Sequence, residues 1–208
     1  MDAGGTDGYW NHNAHYHPLV LAAVPDGCRF ALEVGCGDGL LARKLSRVSA
    51  AVTAVDRSAE MVRQARRAAA PAGAAVDFRE LDVLDPSAGP ELPSGSYDFV
   101  CSVAVLHHLG TAAGLRRMAE LLRPGGILVV VGLARTVTPP DWLVSAAGVP
   151  AHRVLARRHG GPVEPAGMPV AEPAESWGEV RRTSARILPG RRWRRRLLWR
   201  YSIHWRKP

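Results

Sequence analysis

The stretch "LEVGCGDGLLARKL" (residues 32–45) decides how this chain folds. An apolar run carrying one acid, Glu33, leads into glycines at 35, 37 and 39, and an amphipathic segment follows. Glycine lets a backbone turn sharply and lets a ligand approach main-chain N–H groups closely. A strand, a glycine turn and a helix in that order open a nucleotide-type α/β unit. The spacing G-x-G-x-G departs from the G-x-G-x-x-G of dinucleotide sites.

Outward from this loop, apolar runs alternate with amphipathic ones. Strands are predicted at 30–35, 51–56, 75–81, 97–103 and 126–133, and helices at 38–49, 58–70 and 112–123. The runs at 30–35, 97–103 and 126–133 are nearly continuous in apolar character, as strands covered on both faces are. The predicted fold is therefore α/β, a doubly wound, mostly parallel sheet with right-handed crossovers. "RPGG" (123–126) is a turn signal expected to end one helix and launch the next strand. Beyond 134 a helix is expected over 140–158, then a Pro/Gly-rich loop (160–176), a short helix near 175–187, and an antiparallel strand pair within 191–207. The chain thus divides into an N-terminal lid segment (1–27), a Rossmann-like core (28–133), and a substrate-side remainder (134–208) of the same domain.

Composition narrows the class. The 208 residues suffice for one well-cored domain. The run "ILVVVGLA" (127–134) is too short to span a bilayer, and a start containing Asp2 and Asp7 does not read as a signal peptide. Three cysteines (Cys28, Cys36, Cys101) without paired spacing speak against a disulfide framework or a zinc site and point to a reducing cytoplasm. The net charge of +8 is concentrated at one end. Residues 181–208 carry +11 with no acid, and the rest sums to −3.

Two acids flank the loop in the predicted sheet. Asp56 ends the second strand, 21 residues beyond Gly35, where a carboxylate can accept the hydroxyl protons of a ribose. Asp82 follows the third strand, beside the same crevice. With Glu33, the glycine loop, Asp56, Asp82, "YDFVCSVAVLHHL" (97–109) and "LLRPGGILVVVG" (121–132) in order, the chain resembles the class I S-adenosylmethionine-dependent methyltransferases. The likeness is greatest to the branch grouped with quinone-biosynthesis and small-molecule enzymes, and it covers about residues 28–133. A phosphate-free cofactor also suits a loop that carries Glu33 and Asp38.

The resemblance implies S-adenosyl-L-methionine as cofactor and S-adenosyl-L-homocysteine as product. It implies that Gly35, Cys36 and Gly37, with Glu33 and Gly39 in the same loop, lie along the cofactor's amino-acid end. Asp56, with Arg57 beside it, would bind the ribose. Met61 would pack near the adenine, with Asp82 and the Val83 backbone at its amino edge. The main chain at Ser102 and Val103 would receive the ammonium. A base is needed only where the acceptor loses a proton, and histidine is the usual choice at neutral pH. His107 and His108, after the fourth strand, are the candidates.

The resemblance places "GYWNHNAHYHP" (8–18) over the cofactor mouth, with Tyr9, Trp10 and His12 expected to contact cofactor or acceptor. His12, His15 and His17 have no nearby carboxylate or cysteine to complete a metal sphere, so no metal is assigned. The basic tail "RRWRRRLLWRYSIHWRK" (191–207) interleaves Arg with aromatics, which invites a nucleic-acid reading. Its alternation also fits a final antiparallel strand, and that reading is preferred. The expected function is methyl transfer to O, N or C of a small molecule. An RNA or protein methyltransferase and a non-catalytic cofactor-binding protein are the alternatives.

Overall fold

The computed structural model describes residues 8–71, 73–168 and 171–208. The first seven residues of the expected lid lie outside these. Among the described residues, seven strands form one sheet: β1 (Phe30–Val34), β2 (Ala51–Asp56), β3 (Val76–Glu80), β4 (Tyr97–Val103), β5 (Leu122–Gly132), β6 (Arg192–Arg196) and β7 (Arg200–Arg206). Their order is β3-β2-β1-β4-β5-β7-β6. The first five run parallel, and β7 lies antiparallel between β5 and β6. The basic tail therefore closes the sheet as a hairpin.

Among the described residues, seven α-helices accompany the sheet: α1 (His17–Leu21), α2 (Leu40–Leu45), α3 (Ala59–Ala69), α4 (Leu106–Leu109), α5 (Thr111–Leu121), α6 (Pro139–His159) and α7 (Trp177–Ile187). Alternate strand residues feed two cores. Leu32, Val100, Leu128, Val130 and Ile203 pack with Leu115, Met118, Trp177 and Val180 of α5 and α7. Ala31, Phe99, Cys101, Val129 and Val131 pack with Val20, Leu41, Leu45, Val62 and Ala65 of α1, α2 and α3. Period-2 alternation within nearly all-apolar strands thus builds a core on each face.

Three helices start where a side chain supplies a cap. Ser58 Oγ accepts from Met61 N ahead of α3. Thr138 with Asp141, and Ser176 with Glu179, form capping boxes for α6 and α7. α2 is shorter than the predicted 38–49: Gly37 and Gly39 take positive φ and delay its start to Leu40, and it ends at Leu45. The "RPGG" turn lies inside β5 rather than before it. Leu122 pairs with Tyr97, the register slips, and pairing resumes at Phe99 with Ile127, Gly125 taking φ +77° within the irregular stretch.

Candidate active site

The carboxyl ends of β1, β2 and β4 open onto a crevice of about 990 Å³, including space open to solvent. Its floor is the glycine loop. Gly35 and Cys36 both donate to Val55 O, and Gly37 donates to Asp56 Oδ2 at 2.9 Å. The other Asp56 oxygen accepts from Ser58 N at 2.9 Å. An ionised carboxylate has about four acceptor positions, so two remain for a ligand's hydroxyls. At Gly35 (φ +75°) a Cβ would stand 2.1 Å from Val105 Cγ2, whereas at Gly37 it would meet only Met168 Cε at 3.4 Å. The first glycine is required by packing, and the second leaves its face open to the crevice.

Of the residues singled out in the sequence, Tyr9, Glu33, Gly35, Cys36, Gly37, Asp56, Arg57, Met61, Asp82, Val83, Val103 and His108 border this crevice. Glu33 is buried and its Oε2 has no hydrogen-bond partner. Burial first, and then the charges of Asp38 and Asp56, raise its pKa well above the usual carboxyl range. Burial likewise pushes the Cys36 thiol up, so that group is a neutral wall and not a nucleophile. His108 is held below the usual imidazole range by burial and by Arg57, which favours the neutral, proton-accepting form.

Five of the singled-out residues stand elsewhere. Gly39 precedes α2 at φ +76° and does not border the crevice, and a Cβ there would meet Phe78 Cε1 at 2.6 Å, so packing requires glycine at this position. Ser102 is enclosed within β4. His107 does not border the crevice, although burial, His108 and Arg200 lower its pKa to about 4. Trp10 turns away to stack on His159 at 5.2 Å between ring centroids, and His12 Nε2 lies 2.8 Å from His152 Nδ1. Both therefore fasten the N-terminal segment to α6. The three N-terminal histidines diverge: His12 meets His152, His15 meets Tyr16, and His17 borders the crevice.

The sequence reading missed Asn11, Asn13, His17, Val105, Leu109 and Met168, all of which border the crevice. The asparagines sit in the stretch read as a cover and could have been found there. Met168 lies in the Pro/Gly-rich loop and had no local signal. Asn11 does the fastening: its Nδ2 donates to Val163 O and Glu164 Oε2, and its Oδ1 accepts from Asn13 N and Ala14 N. Two distant segments that border the crevice are thereby joined. Ala104, at φ +58° where β4 ends on the crevice, is a strained backbone position that no sequence pattern announces.

This strand order, with a glycine loop and acids at the carboxyl edge, defines the Rossmann-like architecture of class I methyltransferases. Comparison with known proteins takes the assignment further. The family described as "Methyltransferase domain" matches residues 31–126. An uncharacterized methyltransferase of Mycobacterium bovis is 37% identical over 210 residues, covering 96% of this chain and 98% of that protein. A ubiquinone biosynthesis O-methyltransferase of Xanthomonas axonopodis pv. citri is 41% identical over 125 residues, covering 60% of this chain and 50% of that protein. A solved S-adenosylmethionine-dependent methyltransferase from Aquifex aeolicus superposes with a TM-score of 0.61 at 18% identity, over 92% of this chain and 89% of that one, and so shares the fold. The chain belongs to the class I S-adenosylmethionine-dependent methyltransferases.

Proposed function

We propose that the crevice binds S-adenosylmethionine and that the chain transfers its methyl group to a small-molecule acceptor. The observation that carries this reading is the convergence of Glu33, the Gly35–Gly37 loop, Asp56, Asp82 and Val83 on one crevice. The residues fit the cofactor. The free acceptor positions on Asp56 match a sugar diol, the orphaned Glu33 oxygen and the open face of Gly37 suit a polar amino-acid tail, and Met61 and Val83 offer apolar flanks to a base. When bound, the cofactor supplies a methyl group activated on a sulfonium.

The chain's own part is to hold, enclose and deprotonate. Residues 8–17 and the loop carrying Met168 cover the opening, exclude water and orient an acceptor, an effect that reaches roughly 7–11 kcal/mol in favourable systems. His108, neutral at pH 7, is placed to take a proton from an acceptor hydroxyl or amine. The name of the Xanthomonas relative supports a small acceptor. So does the engagement of three tail arginines within the fold: Arg195 pairs with Asp141, Arg196 donates to Ser202 Oγ, and Arg200 donates to Asn13 Oδ1.

Thermal melting tests the reading. S-adenosylhomocysteine at saturating concentration should raise the Tm by several degrees while NAD leaves it unchanged. Equal indifference to both, or a larger shift with NAD, rejects it.

A further inference from the structure

Arg200 is the anomaly of the acceptor side. It opens β7, beside the carboxyl edge where the crevice lies, and only 7% of it is exposed. Buried guanidinium groups are normally matched by a carboxylate, because removing the charge from water is costly. Among the described residues no acid lies within ion-pair distance of Arg200. Its partners are neutral oxygens. Nη1 donates to Leu198 O at 3.1 Å, and Nε and Nη2 both donate to Asn13 Oδ1, at 3.3 and 2.8 Å. Burial pulls its pKa down to about 10, and the one carboxylate whose charge reaches it, Glu164, sits on an exposed loop.

The consequence falls on Asn13, which borders the crevice. With its carbonyl oxygen claimed twice by Arg200, the group Asn13 has left for a ligand is its amide nitrogen, a donor with a full positive charge behind it. The same charge bears on His12 and His107, where it adds to burial in keeping the imidazoles neutral. The buried charge of Arg200 therefore bears on this end of the crevice, whereas Asp38, Asp56 and Asp82 border its floor.

We propose that the acceptor carries an anionic group, a carboxylate or phosphate, which is received by Asn13 Nδ2 and neutralises the buried charge of Arg200 behind it. Arg200 acts through Asn13 and is a positioning residue. The inference rests on the cofactor reading above and names the substrate class for that same site.

Calorimetric titration of the full-length protein, saturated with S-adenosylhomocysteine, separates the outcomes. Benzoate, phenyl phosphate and benzamide serve as probes of matched ring size. The anions should bind at least roughly tenfold more tightly than the neutral amide, a difference suited to one charge-assisted contact. A preference for benzoate assigns a carboxylate, and one for phenyl phosphate assigns a phosphate. Arg200→Gln should erase the preference and Arg200→Lys should restore part of it, while both still bind S-adenosylhomocysteine. Should Arg200→Gln fail to fold, Asn13→Ala tests the same contact and should also erase the preference. Equal binding of benzamide and benzoate, no binding of any probe, or an undiminished preference in Asn13→Ala overturns this inference alone. Failure of the wild type to bind S-adenosylhomocysteine overturns the cofactor reading and this inference with it.

Discussion

The hydroxyl of Tyr9 donates to Oδ1 of Asp38 across 3.0 Å, joining the N-terminal segment that borders the crevice to the glycine loop that floors it. Burial and the Asp38 charge push the phenol's pKa well above its usual range, so it remains a donor at every physiological pH. Tyr9→Phe should cost about 1 kcal/mol of stability, the usual net worth of such a bond. It should weaken S-adenosylhomocysteine binding roughly threefold to tenfold. Urea denaturation and calorimetry read the two effects; unchanged affinity would detach the cover from the cofactor.

The two loop glycines should fail differently. In Gly35→Ala the new methyl meets the Val105 side chain at 2.1 Å on a backbone with φ +75°, and a loss of about 3 kcal/mol or more is expected. In Gly37→Ala (φ +52°) the nearest atom is Met168 Cε at 3.4 Å, so roughly 1–2 kcal/mol should be lost. That variant should fold yet bind S-adenosylhomocysteine at least roughly tenfold more weakly, because the methyl enters the crevice. Full cofactor affinity in Gly37→Ala would remove the loop from the binding site.

Glu33 makes a pH prediction for the ligand-free protein. Its folded pKa lies above the ordinary value of 4.5, so the folded chain holds this proton more tightly than the unfolded one. Stability from this group is present below 4.5 and declines as pH rises toward the folded value. Glu33→Gln should be more stable than wild type at pH 8 and flatter between pH 5 and 8 in urea titrations. A variant less stable than wild type at every pH would contradict the assigned direction.

His17 acts in the opposite sense. Burial and then the charge of Lys44 lower its pKa from 6.5 to about 3, so its contribution is present above 6.5 and is lost as pH falls toward 3. The cost between pH 7 and pH 5 is on the order of 2 kcal/mol. His17→Gln should lower the neutral-pH stability through lost packing but show a shallower acid decline. Parallel pH profiles for variant and wild type would refute the neutral buried imidazole.

Asn11 ties down the proposed cover. It is 2% exposed, and its side chain takes part in four hydrogen bonds that reach as far as residue 164. Asn11→Ala should cost about 2–4 kcal/mol, because buried backbone groups lose their partners. Limited proteolysis should then cut within residues 8–17 well before global unfolding. Protection equal to wild type would show that Trp10 and His12 hold the segment alone.

What was legible in the sequence was local. The strand-glycine-helix unit around Gly35, the acid at Asp56 and the buried strands β4 and β5 each follow from a handful of adjacent residues. Their spacing therefore foretold the sheet and most of its crevice-facing edge. The basic tail was legible too, since the alternation in residues 200–206 matches a strand with one apolar face. Contacts across long separations were hidden. Trp10 and His12 were expected over the cofactor, but α6, about 140 residues away, supplies His152 and His159 to draw them aside. The packing demand on Gly39 was hidden as well, because it comes from Phe78 on β3. Arg200 read as one more tail arginine until β7 placed it behind Asn13.

The central claim, an adenosyl cofactor lying across the carboxyl edge of the sheet, is tested most directly by a crystal structure of the protein grown with S-adenosylhomocysteine. The account predicts density along Gly35–Gly37, with the sugar hydroxyls on Asp56 and the base beside Met61, Asp82 and Val83. Density for the ligand elsewhere, or an empty crevice in crystals saturated with it, would contradict that claim.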